Sequence, residues 1–418
     1  MPKSLTPNQK TLLVVSQTFV PDPASVGQHM ADVAVEMARR GRPVRVYASA
    51  RGYEDSSVVY PARENLHGVD VRRLALGSFG KRNLLFRAAG TAWFMFQAFF
   101  AALFAPNIGA IFFSTSPPLI GFPMSIVGML RRVPVAYWAM DLNPDQLIAM
   151  KKIGPRSFAA WLLERVNRFI LRRSALVIAL DRFMADRLMQ RTRLDGKLLV
   201  MPPWPHVQHT GSLAHADNPF RTQHGWGGKF VIMYSGNHSP ANPLRTLLDA
   251  AVRMKDDARV VFAFVGGGSG KKEVDQTISD NGLTNAVSLP YQPLETLHLS
   301  LSSADVHVVS MGDDMVGIIH PCKVYGAMSV GRPILFLGPA PSHVADILNQ
   351  HPIGEAIRHG DVDGCVAAIR RLAELPEVEL NRMGLLAQQV LDSSLSQNIL
   401  QTRFCDGLET TMHLAAPD

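Results

Sequence analysis

A chain of 418 residues, 47% apolar and 18% charged, is globular in composition and long enough for two domains that each bury a core of their own. Its three cysteines, Cys322, Cys365 and Cys405, stand too far apart for a C-x-x-C ligand pair, which argues against a disulfide scaffold or a structural zinc site and fits a reducing cytosol. The net charge of +7 conceals two opposed halves: residues 1–200 hold 27 Lys and Arg against 13 Asp and Glu, whereas residues 201–418 hold 15 against 22.

Residues 1–10 are polar, with two prolines and no apolar stretch behind a basic start, so no cleaved secretory signal is expected. Strand-like runs then fall at 12–15, 44–48, 110–113, 135–138 and 176–179, with helical stretches between most of them. Pro21 to Gln28 joins the first run to a helix expected over 28–40, closed by Gly41 after two arginines. Gly27 either lets that loop sit against a ligand or merely permits a tight turn. Residues 88–105 carry no charge and barely reach the length of a membrane span. They read as a helix packed on a sheet, or as one whose outer face dips into a membrane interface. Lys81, Arg82, Arg87, Arg131 and Arg132 flank this stretch and the apolar 117–130, and a basic helix at 156–173 could extend the same face, as a monotopic protein resting on anionic lipid requires. Asp141 ends an apolar strand and opens Asp-Leu-Asn-Pro-Asp, so it is either a helix cap or a carboxylate turned to a ligand.

Met201-Pro202-Pro203-Trp204-Pro205-His206 cannot continue a helix or a central strand, and a boundary is expected there, between 203 and 204. The second half repeats the alternation, with runs at 230–234, 260–265, 286–289, 306–309 and 334–336. Alternating strands and helices imply an α/β chain of two doubly wound parallel sheets, and ligands of such sheets sit at the carboxyl ends of the strands. Four segments occupy those ends. Gly236, Asn237 and His238 form a turn whose small residues let a backbone approach a phosphate, although a plain strand-to-helix turn would use the same residues. Gly266-Gly267-Gly268-Ser269-Gly270-Lys271-Lys272 fails the P-loop pattern, lacking a glycine at Val265 and a hydroxyl at Lys272. Asp313 and Asp314 either bond sugar hydroxyls or are simply solvated. His320-Pro321-Cys322-Lys323 opens a short helix, and a lysine at a helix start opposes the macrodipole unless an anion offsets it, which suits a nucleotide diphosphate. The basic residues are interleaved with apolar helices rather than with exposed stacking aromatics, so nucleic acid is not an expected partner.

Phe19 to Gly41, Tyr137-Trp138-Ala139-Met140-Asp141-Leu142-Asn143-Pro144-Asp145, Tyr234-Ser235-Gly236-Asn237-His238, Val265-Gly266-Gly267-Gly268 and the stretch from Lys323 to Pro333 together resemble a GT-B glycosyltransferase of the large retaining family GT4. The likeness runs nearly end to end. It is nearest to the subgroup that builds bacterial capsule, O-antigen and exopolysaccharide repeat units, where Pro-Ser-Lys stands in place of Pro321-Cys322-Lys323. Two departures are visible. The Glu-x7-Glu pattern of many members falls on Ile318 and Gly326, and the usual diphosphate-binding Arg and Lys fall on Asn237 and Asn242.

The resemblance implies an N-terminal acceptor-binding Rossmann-like domain at 1–203, a nucleotide-sugar-binding one at 204–393 facing it across a cleft, and a helix at 394–418 returning to the first. It implies retaining, metal-independent transfer, with no cofactor, from a nucleoside-diphosphate sugar to a hydroxyl of a polyprenyl-diphosphate-linked saccharide at the inner face of the cytoplasmic membrane. Asp141 and Lys323 would then be catalytic. Gly236, Asn237, His238, Gly266, Gly268, Asp313, Pro321 and Lys323 would hold the donor, and Gly27 and Gln28 would form a loop against the sugar or acceptor. A non-hydrolysing sugar-nucleotide 2-epimerase, or a non-catalytic sugar-nucleotide sensor of the same fold, are the alternatives.

Overall fold

The computed structural model describes residues 9–22, 24–52, 57–75, 84–205 and 213–413; Pro23, Lys81 and Arg82, most of the leading ten residues and part of the connector after Pro205 lie outside these. The chain forms two compact units, Met1–Trp204 with Gln397–Asp418, and Pro205–Ser396.

The first unit runs β1 (Thr11–Val15), α1 (Ser25–Arg39), β2 (Val44–Ser49), β3 (Arg63–Leu66), β4 (Val69–Leu74), α2 (Leu84–Leu103), β5 (Ile108–Phe113), α3 (Gly121–Arg131), β6 (Val135–Ala139), α4 (Asp145–Ala149), α5 (Phe158–Arg173), β7 (Leu176–Ala179), α6 (Arg182–Arg191) and β8 (Leu198–Val200). Its sheet has the order β3-β4-β2-β1-β5-β6-β7-β8, parallel except for the β3–β4 hairpin. The central strands β5, β6 and β7 are apolar throughout and buried at every residue, as a sheet covered on both faces demands.

The second unit contains α7 (Pro219–Gln223), β9 (Phe230–Ser235), α8 (Arg245–Arg253), β10 (Val260–Val265), α9 (Lys271–Asp280), β11 (Ala286–Leu289), α10 (Leu297–Ser302), β12 (Val306–Ser310), α11 (Lys323–Ser329), β13 (Ile334–Leu337), α12 (His343–Gln350), β14 (Gly354–Ile357), α13 (Val362–Glu374) and α14 (Glu377–Val390). Its six strands are all parallel, in the order β11-β10-β9-β12-β13-β14. Phe262, Phe264, Leu335, Leu337, Leu248 and Ile369 knit α8 and α13 to one face of this sheet.

After α14 the chain makes one wide turn at Leu391–Leu395, and α15 (Gln397–His413) rejoins the first unit. Phe404, fully buried, lies 4.5 Å from the ring of Trp138 and 5.5 Å from that of Phe112. Arg40 pairs with Asp406 at 2.6 Å and Arg42 with Glu409 at 3.0 Å, while Gln401 donates to the Asp32 carbonyl at 2.6 Å. The helix is therefore part of the first unit's core.

Four strands escape the sequence pattern. β3 and β4 carry Arg and Glu at a sheet edge, β8 is only three residues long, and β14 opens Gly-Glu. Two helix starts also move. α1 begins at Ser25 rather than residue 28, with Ala24 extended before it, and α15 begins at Gln397 rather than 394, because the wide turn occupies the preceding residues. The 88–105 stretch is helical as far as Leu103, within α2, and no helix among the described residues is long and apolar enough to cross a membrane.

Candidate functional site

In the second unit the carboxyl ends of β9, β10 and β12 bring together three segments far apart in sequence. Gly236 leaves β9 at φ 135°, and Gly266 and Gly268 leave β10 at φ 127°, backbone that L side chains rarely adopt. These glycines also answer to space. A Cβ on Gly266 would strike the Gly236 carbonyl, one on Gly268 would strike Asn237 and the His238 carbonyl, and one on Gly236 would strike Lys323 Cε. His238 is the strut between the two turns: its N–H donates to the Gly267 carbonyl at 2.7 Å and its own carbonyl accepts from Gly270 N–H at 2.9 Å. Burial lowers its pKa to about 4, so the imidazole is neutral at pH 7, and Nδ1 at 3.0 Å from the Gly236 carbonyl is the protonated nitrogen. Lys271 is likewise structural, donating to the Phe264 carbonyl at 3.0 Å and the Leu289 carbonyl at 2.7 Å.

Lys323 lies along Gly236 at the start of α11, with Nζ 5.3 Å from the ring centroid of Tyr234. The Tyr234 hydroxyl donates to the Asn237 carbonyl at 2.7 Å, which holds the ring and the glycine turn together. Among the described residues the ammonium has neither a carboxylate partner nor a hydrogen-bond acceptor. Desolvation brings its pKa down to about 8, with the neighbouring Cys322 opposing the shift. A half-buried ammonium, resting on an aromatic face and lacking a counter-charge, is prepared for an anion. With seven residues, α11 adds little dipole, so the lysine itself supplies the charge.

The other residues singled out in this unit occupy different settings. Pro321 is buried two residues before Lys323, whereas Asp313 and Asp314 are exposed at the start of a 3-10 turn, Asp313–Met315. Asn242 donates to Ser239 Oγ at 3.0 Å, a local bond within the turn. Sequence reading missed Tyr234 and also a cluster beside Lys323, in which the Tyr325 hydroxyl stands 2.7 Å from His320 Nε2 and 2.9 Å from His343 Nε2. The signal was present: an aromatic closing a buried strand, and a tyrosine two residues beyond the candidate cation.

In the first unit Asp141 follows β6 but precedes α4 by four residues, and the residue before that helix is Pro144, so the capping alternative fails. Its carboxyl accepts no hydrogen bond from any described residue, and burial alone lifts its pKa to about 6. Gly27 is buried within the first turn of α1, not in the loop before it. A Cβ there would come within 3.0 Å of Phe19 N and 3.1 Å of Thr18 C, so the glycine lets the helix press on the turn after β1. Gln28, half-buried, follows it. A hydroxyl group pair not foreseen from sequence lies at the ends of β1 and β5, Thr18 Oγ1 being 3.1 Å from Ser116 Oγ.

Residues 25–204 match the family described as Glycosyl transferase 4-like domain. The chain has the GT-B fold. Over 405 residues, 94% of the chain and 96% of the relative, it is 24% identical to "Probable glycosyltransferase WbjE" of Pseudomonas aeruginosa. Over 383 residues, 88% and 93% respectively, it is 22% identical to WcaI of Escherichia coli, whose name assigns it to colanic acid biosynthesis as a glycosyl transferase. Among solved structures, sucrose-phosphate synthase of Thermosynechococcus elongatus is similar with TM-score 0.75 and 15% identity, covering 98% of this chain and all of that one. HepE of Anabaena, in complex with UDP and glucose, is similar with TM-score 0.72 and 16% identity, covering 96% of this chain and all of that one. At such identities these two establish the shared GT-B fold.

Proposed function

We propose that this GT-B protein is a glycosyltransferase that moves a sugar from a nucleoside-diphosphate donor to a hydroxyl of a polyprenyl-diphosphate-linked saccharide, in the assembly of a bacterial surface polysaccharide. The observation that carries the reading is Lys323: an unpaired, half-buried ammonium beside two glycine turns that no side chain can crowd. A diphosphate oxygen meeting Lys323 would restore its charge, and the leaving diphosphate would be stabilised as its own charge grows. On this reading the second domain binds the donor and the first receives the acceptor. Configuration is retained by a front-face displacement in which the departing phosphate helps deprotonate the acceptor hydroxyl, so neither a dedicated base nor a metal is assigned to the step. Both homologues' names point to the same class of activity, and that of WcaI to an extracellular polysaccharide.

Attachment to the cytoplasmic face of a membrane belongs to the same proposal. Ten of the seventeen exposed large hydrophobic side chains among the described residues lie on α2, α3 and α5 or just after α2, and α3 packs against both of the others. On α2 the small Ala98 and Ala102 turn inward with Phe94, while Trp93, Phe96 and Phe100 turn outward. Arginines accompany these aromatics, Arg165 standing 5.0 Å from the ring centroid of Trp161. Exposed aromatics among arginines suit the boundary between acyl chains and anionic headgroups.

The test is a thermal-shift titration with UDP, GDP and their sugar conjugates, followed by transfer assays on a polyprenyl-diphosphate saccharide with and without EDTA. Stabilisation by one nucleotide that is lost in Lys323→Met supports the reading. No stabilisation by any nucleotide, or formation of an epimerised sugar nucleotide without acceptor, refutes it.

A further inference from the structure

The groups discussed so far occupy the carboxyl ends of the strands. At the amino ends of β10, β9, β12 and β13, on the far side of the same sheet, the second unit holds an open pocket of about 850 Å³, within the range of small-molecule sites. Arg332, which leads into β13, lines it and is only 6% exposed. Its Nη2 donates to the Ser302 carbonyl at 3.0 Å and the Leu213 carbonyl at 3.1 Å, but its Nε has no partner, and no described carboxylate forms an ion pair with it.

The nearest candidate for that pairing, Asp305, is already committed. Its Oδ2 accepts from Arg221 at 3.1 Å and from the Val231 N–H at 2.7 Å, and its Oδ1 faces His215 Nδ1 at 3.4 Å. His215 Nε2 is likewise buried without a partner, and desolvation lowers the imidazole pKa to about 4, so it contributes no positive charge at pH 7. Lys229 adds a further cation to the lining, and Glu377 is the remaining carboxylate there. A guanidinium out of water with a free donor and no carboxylate in ion-pair contact destabilises the empty protein, an effect that a bound anion would offset. Arg221, Arg259, Asn381 and Gln388 add polar lining, and Leu375, Leu380 and Leu385 form an apolar stretch of the wall.

We propose that this pocket binds a small organic anion, its acidic group on Arg332 and its apolar body against the leucines that α14 presents, at a site separate from Lys323. The two sites lie at opposite ends of the sheet, so the inference does not depend on the transferase reading.

Phenyl phosphate and benzoate, added to the full-length protein at constant ionic strength and followed by thermal shift and calorimetry, probe the site and distinguish a phosphate from a carboxylate occupant. Saturable binding of at least one is expected in the wild type and in Lys323→Met. It should weaken about tenfold in Leu385→Trp, which fills the mouth of the pocket from a side chain 59% exposed and so spares the fold. Arg332→Lys should weaken it too. The proposal is overturned if neither anion binds saturably, if binding vanishes in Lys323→Met, or if Leu385→Trp binds as well as the wild type.

Discussion

Asp141 at the end of β6 and Lys323 at the start of α11, one in each domain, stand in the same predicament with opposite sign. Neither has a charged or hydrogen-bonding partner among the described residues, and burial pushes each toward its neutral form, the acid up to about 6 and the amine down to about 8. Other partly buried charges are paired, Arg332 excepted: Arg191 meets Asp145 and Glu164, and Arg221 meets Asp305. The difference singles out two groups whose burial a ligand would offset. A structural ion pair lowers its own cost internally, whereas Asp141 and Lys323 have no such partner among the described residues.

The sharpest way to break the comparison is to remove its stronger half. Lys323→Met should reduce kcat/KM about 10²–10³-fold in a donor-saturation assay while raising the melting temperature of the unliganded protein, because a desolvated charge is deleted. A variant that loses stability along with activity would show the lysine to be structural. Asp141→Asn is expected to lower kcat about tenfold to a hundredfold and also to stabilise, by about 1–3 kcal/mol at pH 7.5. Its folded state holds a proton more tightly between pH 4 and 6, so stability falls as pH rises through that window, and the amide escapes the loss. The smallest effect is the pH dependence itself. kcat/KM should fall about tenfold per unit above pH 8, as Lys323 loses its proton, and below pH 6, as Asp141 gains one. Lys323→Arg should remove the alkaline limb while leaving the acid limb in place.

Much of this frame was readable beforehand because both sheets are built from continuous apolar runs, such as Val260–Val265 and Ile108–Phe113, whose burial on two faces leaves no other arrangement. The hairpin of β3 and β4 was not readable, since an edge strand such as Arg63–Leu66 is half solvated and carries charge. In the candidate site, Gly236, Gly266 and Lys323 could be picked out by their places after strands. The partners that give them meaning could not. Tyr234 reads as one more core aromatic until its ring is found under the ammonium, and His320, Tyr325 and His343 are brought together only by the turn into α12. Asp141 shows the converse, a residue whose sequence context left a helix cap open and whose geometry denies it.

The return of α15 to the first sheet has a consequence for how the protein is made. Phe404 fills the space against Trp138 and Phe112, and Asp406 and Glu409 neutralise Arg40 and Arg42, so the first domain lacks part of its interior until α15 is translated. On the ribosome the earlier-made lobe must therefore wait, its Trp138 uncovered, while the entire later lobe is synthesised. A stop codon placed after Ser396 would injure not the lobe it truncates in sequence but the one begun nearly four hundred residues before.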